Sequence, residues 1–236
     1  AASDVYKRQM EQNQKDYREY IESWVHEIKA PITAIALNCE NNRDERSRYL
    51  LVENRKVENY VDMALYYARM DAVYKDYMIA ETNLQEVAQQ VLLQNKYYLI
   101  QSHVKAEVAC PDTVYSDKKW IAFILNQLIQ NSVKYGRSEG THIQIVTKKT
   151  KSGVLLRVKD DGIGIPKEEI PRIFEKGFTG TNGRNRERST GMGLYLCRKL
   201  CDKLNIEIRA ESAEGKGTEI ILMFPVSDYL TGYRET

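Results

Sequence analysis

The chain has 236 residues, a formal net charge of +2, and 29% charged against 42% hydrophobic residues. That is enough apolar material for one large or two modest packed domains and too much for a disordered chain. The small net charge gives no argument for nucleic-acid binding, and no apolar run reaches the ~20 residues of a bilayer-spanning helix. Tyr is frequent, with 16 against 4 Phe, so many apolar positions lie where a hydroxyl can meet water.

From Asp4 to Asp71 there is no glycine, and the only proline is Pro31. Apolar residues recur at helical spacing through Tyr17, Ile21, Trp24, Val25, Ile28, Ile32 and Ile35. After a polar break at Asn41-Asn42-Arg43-Asp44, they resume at Leu50, Val57, Val61, Leu65 and Ala68. The pattern predicts two amphipathic helices joined by a short turn. One hairpin buries its stripe poorly, whereas two form a four-helix bundle, so a homodimer is expected. Pro31 lies just past His26, one of only three histidines, and is expected to bend the first helix.

Beyond Tyr74, helical stretches (Leu84 to Leu99, Lys118 to Tyr135, Gly191 to Leu204) alternate with strand-like runs. Those runs lie near His103–Ala109, Ile143–Lys149, Val154–Lys159, Ile206–Glu211 and Glu219–Phe224, with hairpin turns at Thr150–Gly153 and Gly215–Thr218. Ser116 or Asp117 is the expected N-cap of the middle helix. The predicted class is α+β: a helical hairpin over residues 1–73, then an α/β sandwich over 74–236. Gly177 to Ser189 is too polar and Gly-rich to pack, and its arginines at 184, 186 and 188 suit a lid over phosphates. Cys39, Cys110, Cys197 and Cys201 lack metal-site spacing and read as small packing residues.

Several motifs carry chemistry. Asn131 is a suitable Mg²⁺ ligand, with Lys134 as a point charge and Tyr135 as an aromatic face one turn on. Asp160-Asp161-Gly162-Ile163-Gly164-Ile165 puts a carboxylate at a strand end. It can accept from an adenine amino group where the glycines let a ligand approach the backbone. Thr190-Gly191-Met192-Gly193-Leu194 opens a helix whose N-terminal N–H groups suit phosphate oxygens. There is no Gly-x-x-x-x-Gly-Lys-[Ser/Thr] phosphate loop.

Asn131, Asp160-x-Gly162-x-Gly164, Gly191-x-Gly193 and Gly217-Thr218 resemble the N, G1, G2 and G3 boxes of the histidine-kinase/Hsp90/MutL ATPases, the GHKL or Bergerat fold. Phe174-Glu175-Lys176-Gly177-Phe178 sits where kinases keep an F box, and His26-Glu27-Ile28-Lys29-Ala30-Pro31 resembles the H box of a dimerising phosphoacceptor hairpin. The chain thus resembles the cytoplasmic part of a bacterial sensor histidine kinase, of the intramembrane-sensing group tied to bacitracin and antimicrobial-peptide resistance (the BceS/GraS type). The resemblance implies that Asn131 holds Mg²⁺, that Asp160 takes the adenine amino group, and that Thr218 assists through water. Lys134, Tyr135 and Lys176 would line ATP, with Gln127, Ile165, Thr190, Met192 and Leu194 completing the site beside the glycines.

His26 would accept the phosphoryl group, Glu27 would orient the imidazole and take its proton, and an aspartate of an OmpR-like response regulator would receive the phosphoryl in turn. An ABC transporter and a membrane anchor outside this chain are further implied partners. Three positions depart from the family pattern: Gln127 where many relatives have Asn, Ser189 for a glycine, and Ala30 where related phosphatases use Thr or Asn. Weak phosphatase activity is the expectation from Ala30. The alternatives are a superfamily ATPase or serine kinase with His26 incidental, and a dimeric scaffold with a decayed ATP site.

Overall fold

A glycine-free, amphipathic start gives two long helices: α1 (Ala2–Asn41) and α2 (Glu45–Arg69). The computed structural model describes residues 2–42, 44–69, 78–181 and 190–226. It falls into two compact units, Ala1–Lys75 and Asp76–Thr236. The expected boundary at 73/74, and residues 182–189 of the expected lid, lie outside the described residues.

In the first unit Asp44 Oδ1 accepts from Ser47 N–H at 2.6 Å at the start of α2. That bond holds the Asp44 carboxyl below its ordinary pKa. Val25 and Ile32 on α1 pack on Val61 and Leu65 of α2, flanked by Ile21 and Ile28. Two ion pairs cross the seam, Arg69–Glu22 at 2.8 Å and Lys29–Asp62 at 2.7 Å. α1 stays helical through Pro31. Because proline has no N–H, the Glu27 carbonyl loses its intrahelical partner.

The second unit contains β1 (Ala80–Asn83), α3 (Leu84–Gln94), α4 (Lys96–Gln101), β2 (Val104–Ala109), β3 (Thr113–Ser116) and α5 (Lys118–Lys134). Next come β4 (Thr141–Thr150), β5 (Gly153–Asp160), a 3₁₀ turn at Ile170–Arg172, α6 (Gly193–Lys203), β6 (Glu207–Ala213) and β7 (Gly217–Pro225). Five strands form a sheet in the order β2-β4-β5-β7-β6. β2 and β4 are parallel, joined by a crossover that contains α5, and the remaining pairs are antiparallel. Val158, Leu156, Ile145, Ile220, Leu222 and Ile208 are buried under the helices, alongside Ile121, Ile124, Leu128, Leu196 and Leu200.

Two features differ from expectation. The helix predicted over Leu84–Leu99 breaks at Asn95, which is buried and donates from Nδ2 to Val91 O and to Asn126 Oδ1, both at 2.8 Å. An amide that bonds its own preceding turn competes with helix continuation. The small sheet of β1 and β3 was not anticipated. Four-residue strands carry too little alternation to be read, and this pair is tied by Thr82 Oγ1 donating to Ser116 O at 3.0 Å. Of the two cap candidates for α5, Asp117 fills the role: its Oδ1 accepts from Lys119 N–H and Trp120 N–H.

Candidate functional site

The register of the sheet aligns one row of residues on its helix-covered face, near the end of β5. Ile143 lies opposite Asp160, Asp160 opposite Thr218, and Thr218 opposite Ser212. Side chains directly opposite in an antiparallel pair share a face, so Asp160, Thr218 and Ser212 form a polar row where the hydrophobic rows stop. α5 crosses above and delivers Asn131, Ser132 and the C-cap Tyr135. All of these except Ser212 border one pocket. Its walls are apolar (Leu128, Val158, Ile173, Leu194, Ile220), and its rim carries Glu169, Phe178, Thr179 and Gly180.

Asp160 is the most constrained group in it. Oδ2 accepts from Ser132 Oγ at 2.9 Å, and Oδ1 accepts from Gly162 N–H at 3.0 Å and Thr218 N–H at 3.1 Å. Burial pushes its pKa above the usual carboxylate value, and the three donors oppose that rise. An ionised carboxylate only accepts, and one lone-pair direction on Oδ2 is left for a donor entering the pocket. The turn after Asp160 needs glycine: Gly164 has φ +71°, and a Cβ there would lie 2.0 Å from Ala213 O.

Of the residues expected here, Asn131, Tyr135, Asp160, Gly164, Ile165, Leu194 and Thr218 line the pocket. Gly162 stands behind Asp160 and supplies a backbone donor. Gly191 O accepts from Gly177 N–H at 3.1 Å, which ties the two Gly-rich turns together. α6 begins at Gly193, next to Thr190 and Met192, with no side-chain cap on its first N–H groups. That leaves an end suited to an anion.

Gln127 differs in placement from what its family position implies. It is buried on α5, does not border the pocket, and a Cβ on Gly193 would meet its Oε1 at 2.8 Å. Its Nε2 finds no partner among the described residues. Lys134 sits at the end of α5 with its ammonium 5.9 Å from the Tyr135 ring, and Lys176 is exposed beyond the rim.

Sequence reasoning missed Ser132, Ser212 and Glu169. Ser132 adjoins Asn131 and was open to inference as a donor; Ser212 had no local signal and acquires one only through strand register. Glu169 Oε1 accepts from Thr181 N–H at 2.8 Å and from Thr181 Oγ1 at 2.6 Å, which fixes the described start of the expected lid to a residue that borders the pocket. The cysteines of α6 are buried, and burial raises both thiols, Cys201 to about 12. Among the described residues no cluster of three or more His, Cys, Asp or Glu could hold a metal ion.

In the first unit His26 and Glu27 are exposed, one step from buried Val25. The ion pairs Glu22–Arg69 and Lys29–Asp62 bracket them along α1. No described helix is long and apolar enough to cross a membrane.

Comparison with known proteins agrees with this geometry. Residues 116–228 match the histidine kinase-, DNA gyrase B-, and HSP90-like ATPase family. The chain is 32% identical to the sensor histidine kinase YxdK of Bacillus subtilis, covering 94% of this chain and 73% of that protein. It is 35% identical to the sensor protein kinase GraS of Staphylococcus aureus, over 95% of this chain and 64% of that one. The catalytic domain of histidine kinase ThkA superposes with a TM-score of 0.55 at 24% identity, covering 63% of this chain and 95% of that domain. The histidine kinase AdeS of Acinetobacter baumannii superposes with a TM-score of 0.60 at 20% identity, covering 86% and 98% respectively. With an ATPase unit of this fold and a helical hairpin that displays a histidine, the chain belongs to the sensor histidine kinase family.

Proposed function

We propose that the second unit binds Mg·ATP in the pocket bordered by Asn131, Asp160 and Thr218, and that His26 receives the γ-phosphoryl group. The observation that carries this reading is the acceptor-only Asp160, buried and held by three donors at the β5 end of a pocket whose walls are largely apolar. A base with an exocyclic amine fits such an end, and Asn131 and the uncapped start of α6 suit the phosphate end. Mg²⁺, held by Asn131, would neutralise phosphate charge during transfer. Gln127, Lys134, Tyr135, Gly162, Gly164, Ile165, Lys176, Thr190, Gly191, Met192, Gly193 and Leu194 are assigned to positioning the nucleotide. Gln127 acts from behind Gly193.

The imidazole nitrogen attacks the γ-phosphorus, the bond to the ADP oxygen breaks, and Glu27 takes the proton from the second ring nitrogen. The phosphohistidine then serves an aspartate on an OmpR-like response regulator. Exposed apolar side chains on the hairpin, among them Trp24, Ile35, Leu50 and Val57, support a homodimeric four-helix bundle. The motif resemblance to the intramembrane-sensing kinases is the ground for a membrane anchor outside this chain and an ABC transporter as the source of the signal, and similarity to GraS supports a role in antimicrobial-peptide resistance.

The test is incubation with γ-labelled ATP and Mg²⁺, comparing the chain with His26→Gln. Acid-labile, base-stable label confined to the unaltered chain is expected. Label that survives acid, or persists in His26→Gln, overturns the assignment.

A further inference from the structure

The polar row on the sheet has one member that never touches the pocket. Ser212 Oγ lies 2.9 Å from Ile165 N, 2.7 Å from Gly217 O and 2.9 Å from Thr218 Oγ1. A hydroxyl owns one proton and two lone pairs. The Ile165 N–H donates to one lone pair. Gly217 O is a carbonyl and can only accept, so the Ser212 proton is directed to it. The remaining contact therefore has one consistent sense: Thr218 donates to the second Ser212 lone pair, and Ser212 is saturated.

The consequence falls on Thr218, which does border the pocket. With its proton held by Ser212, its hydroxyl presents only lone pairs to an incoming ligand. Asp160, opposite it in the register, is acceptor-only as well. This end of the pocket thus presents two acceptors and no hydroxyl donor from Asp160 or Thr218. A 6-amino group carries two protons and can donate one directly to each acceptor, whereas a 6-oxo purine places an acceptor against acceptors.

We propose that Ser212 is a positioning residue that locks the Thr218 hydroxyl as an acceptor and so sets the preference of this site for 6-amino over 6-oxo purine nucleotides. The proposal rests on the reading of this pocket as the nucleotide site. It adds a residue outside the pocket that acts through the direction of one hydrogen bond. Without Ser212 the Thr218 hydroxyl rotates freely and donates as readily as it accepts, which suits either base.

The experiment is calorimetric titration of the 236-residue chain with Mg·ADP and with Mg·IDP, diphosphates that permit no transfer. The unaltered chain is expected to favour ADP. Ser212→Ala is expected to lower the ADP:IDP affinity ratio by about tenfold, the loss of one oriented hydrogen bond. Ser212→Thr, which restores the hydroxyl, should hold the ratio within about twofold of the unaltered chain. Ser212→Cys fills the same space with weaker bonds and should move the ratio in the same direction as alanine, which covers the case in which Ser212→Ala does not fold. Thr218→Val should lower the ratio alone, and adding Ser212→Ala to it should lower it no further, because Ser212 acts through Thr218.

An unchanged ratio in Ser212→Ala and Ser212→Cys, or equal weakening of both nucleotides, overturns the proposal and leaves Ser212 a support of the turn. A further fall in the double variant overturns it too. If the unaltered chain takes up neither diphosphate, the nucleotide-site reading fails with it, an outcome distinct from every other.

Discussion

At the residue scale the governing group is Asp160, where burial and hydrogen bonding pull in opposite directions. Burial raises its pKa above the ordinary value, while Ser132, Gly162 and Thr218 stabilise the charge. Replacing it by Asn leaves the amide oxygen facing the two backbone N–H groups, and the Ser132 hydroxyl can reverse to accept from the new NH₂. Asp160→Asn is therefore expected to fold with an unfolding temperature at pH 7 equal to or above that of the unaltered chain, yet to bind Mg·ADP at least ~100-fold more weakly, as a site that loses its ligand's polar partner does. Calorimetry and thermal unfolding on the same sample check both halves. The pH dependence follows from linkage. A carboxyl with a raised native pKa binds more protons folded than unfolded across the interval between the two values. Stability attributable to Asp160 is then full below its ordinary pKa and lost as pH rises through the raised one. The stability advantage of Asp160→Asn should therefore shrink on acidification through that interval, and nucleotide affinity should fall there as the carboxylate is protonated. A stability difference that stays constant with pH would contradict the assignment of the raised pKa.

At the element scale, the hairpin and the sheet are held by different forces. α1 and α2 meet through Val25, Ile32, Val61 and Leu65, and their ion pairs lie at the edge of that seam. Leu65→Ala removes buried apolar volume and is expected to cost about 2–4 kcal/mol in denaturant unfolding at fixed protein concentration. Lys29→Met breaks an ion pair whose side chains are 41% and 27% exposed, and should cost no more than about 1 kcal/mol. Comparable costs for the two would mean that charge, rather than packing, sets the hairpin. In the sheet, antiparallel register aligns Asp160, Thr218 and Ser212, and α5 lays Asn131 and Ser132 over the row. The α5 and α6 helices meet where Gln127 fills the space that a side chain at position 193 would need. Gly193→Ala should weaken nucleotide binding, and pairing it with Gln127→Ala should recover part of the loss.

At the scale of the whole molecule, the division of the chain into two compact units predicts separable effects. Trp24 is 40% exposed on the hairpin, and a charge there, as in Trp24→Glu, should shift sedimentation toward monomer while Mg·ADP binding stays unchanged. Ala30 is exposed one turn beyond His26, at the position where the family resemblance implies a water-aligning Thr or Asn. Ala30→Thr is expected to speed loss of phosphate from the phosphorylated regulator with autophosphorylation unaltered, followed with purified regulator over time. No gain in phosphate release would remove the explanation by a missing water ligand.

The helical hairpin was legible because helical periodicity and the absence of glycine over its length are local properties, and they end where Asn41 to Asp44 interrupts them. The five main strands and the Gly-bearing turns were legible for the same reason: strand alternation and the steric demands of a turn act within a few residues. Asn131, Asp160 and Thr218 could be named from their motifs, but not their mutual geometry. The break at Asn95 depends on Asn126, 31 residues away, and the short β1–β3 pair depends on each strand finding the other. Ser212 carries no motif by itself. It reaches Thr218 because β6 pairs with β7 in one register, and a hydrogen-bond donor is assigned only when all its neighbours are counted. Sequence alone determined which chemistry the chain carries; tertiary structure decided which hydrogen-bonding neighbours its side chains meet, because that depends on residues far apart along the chain.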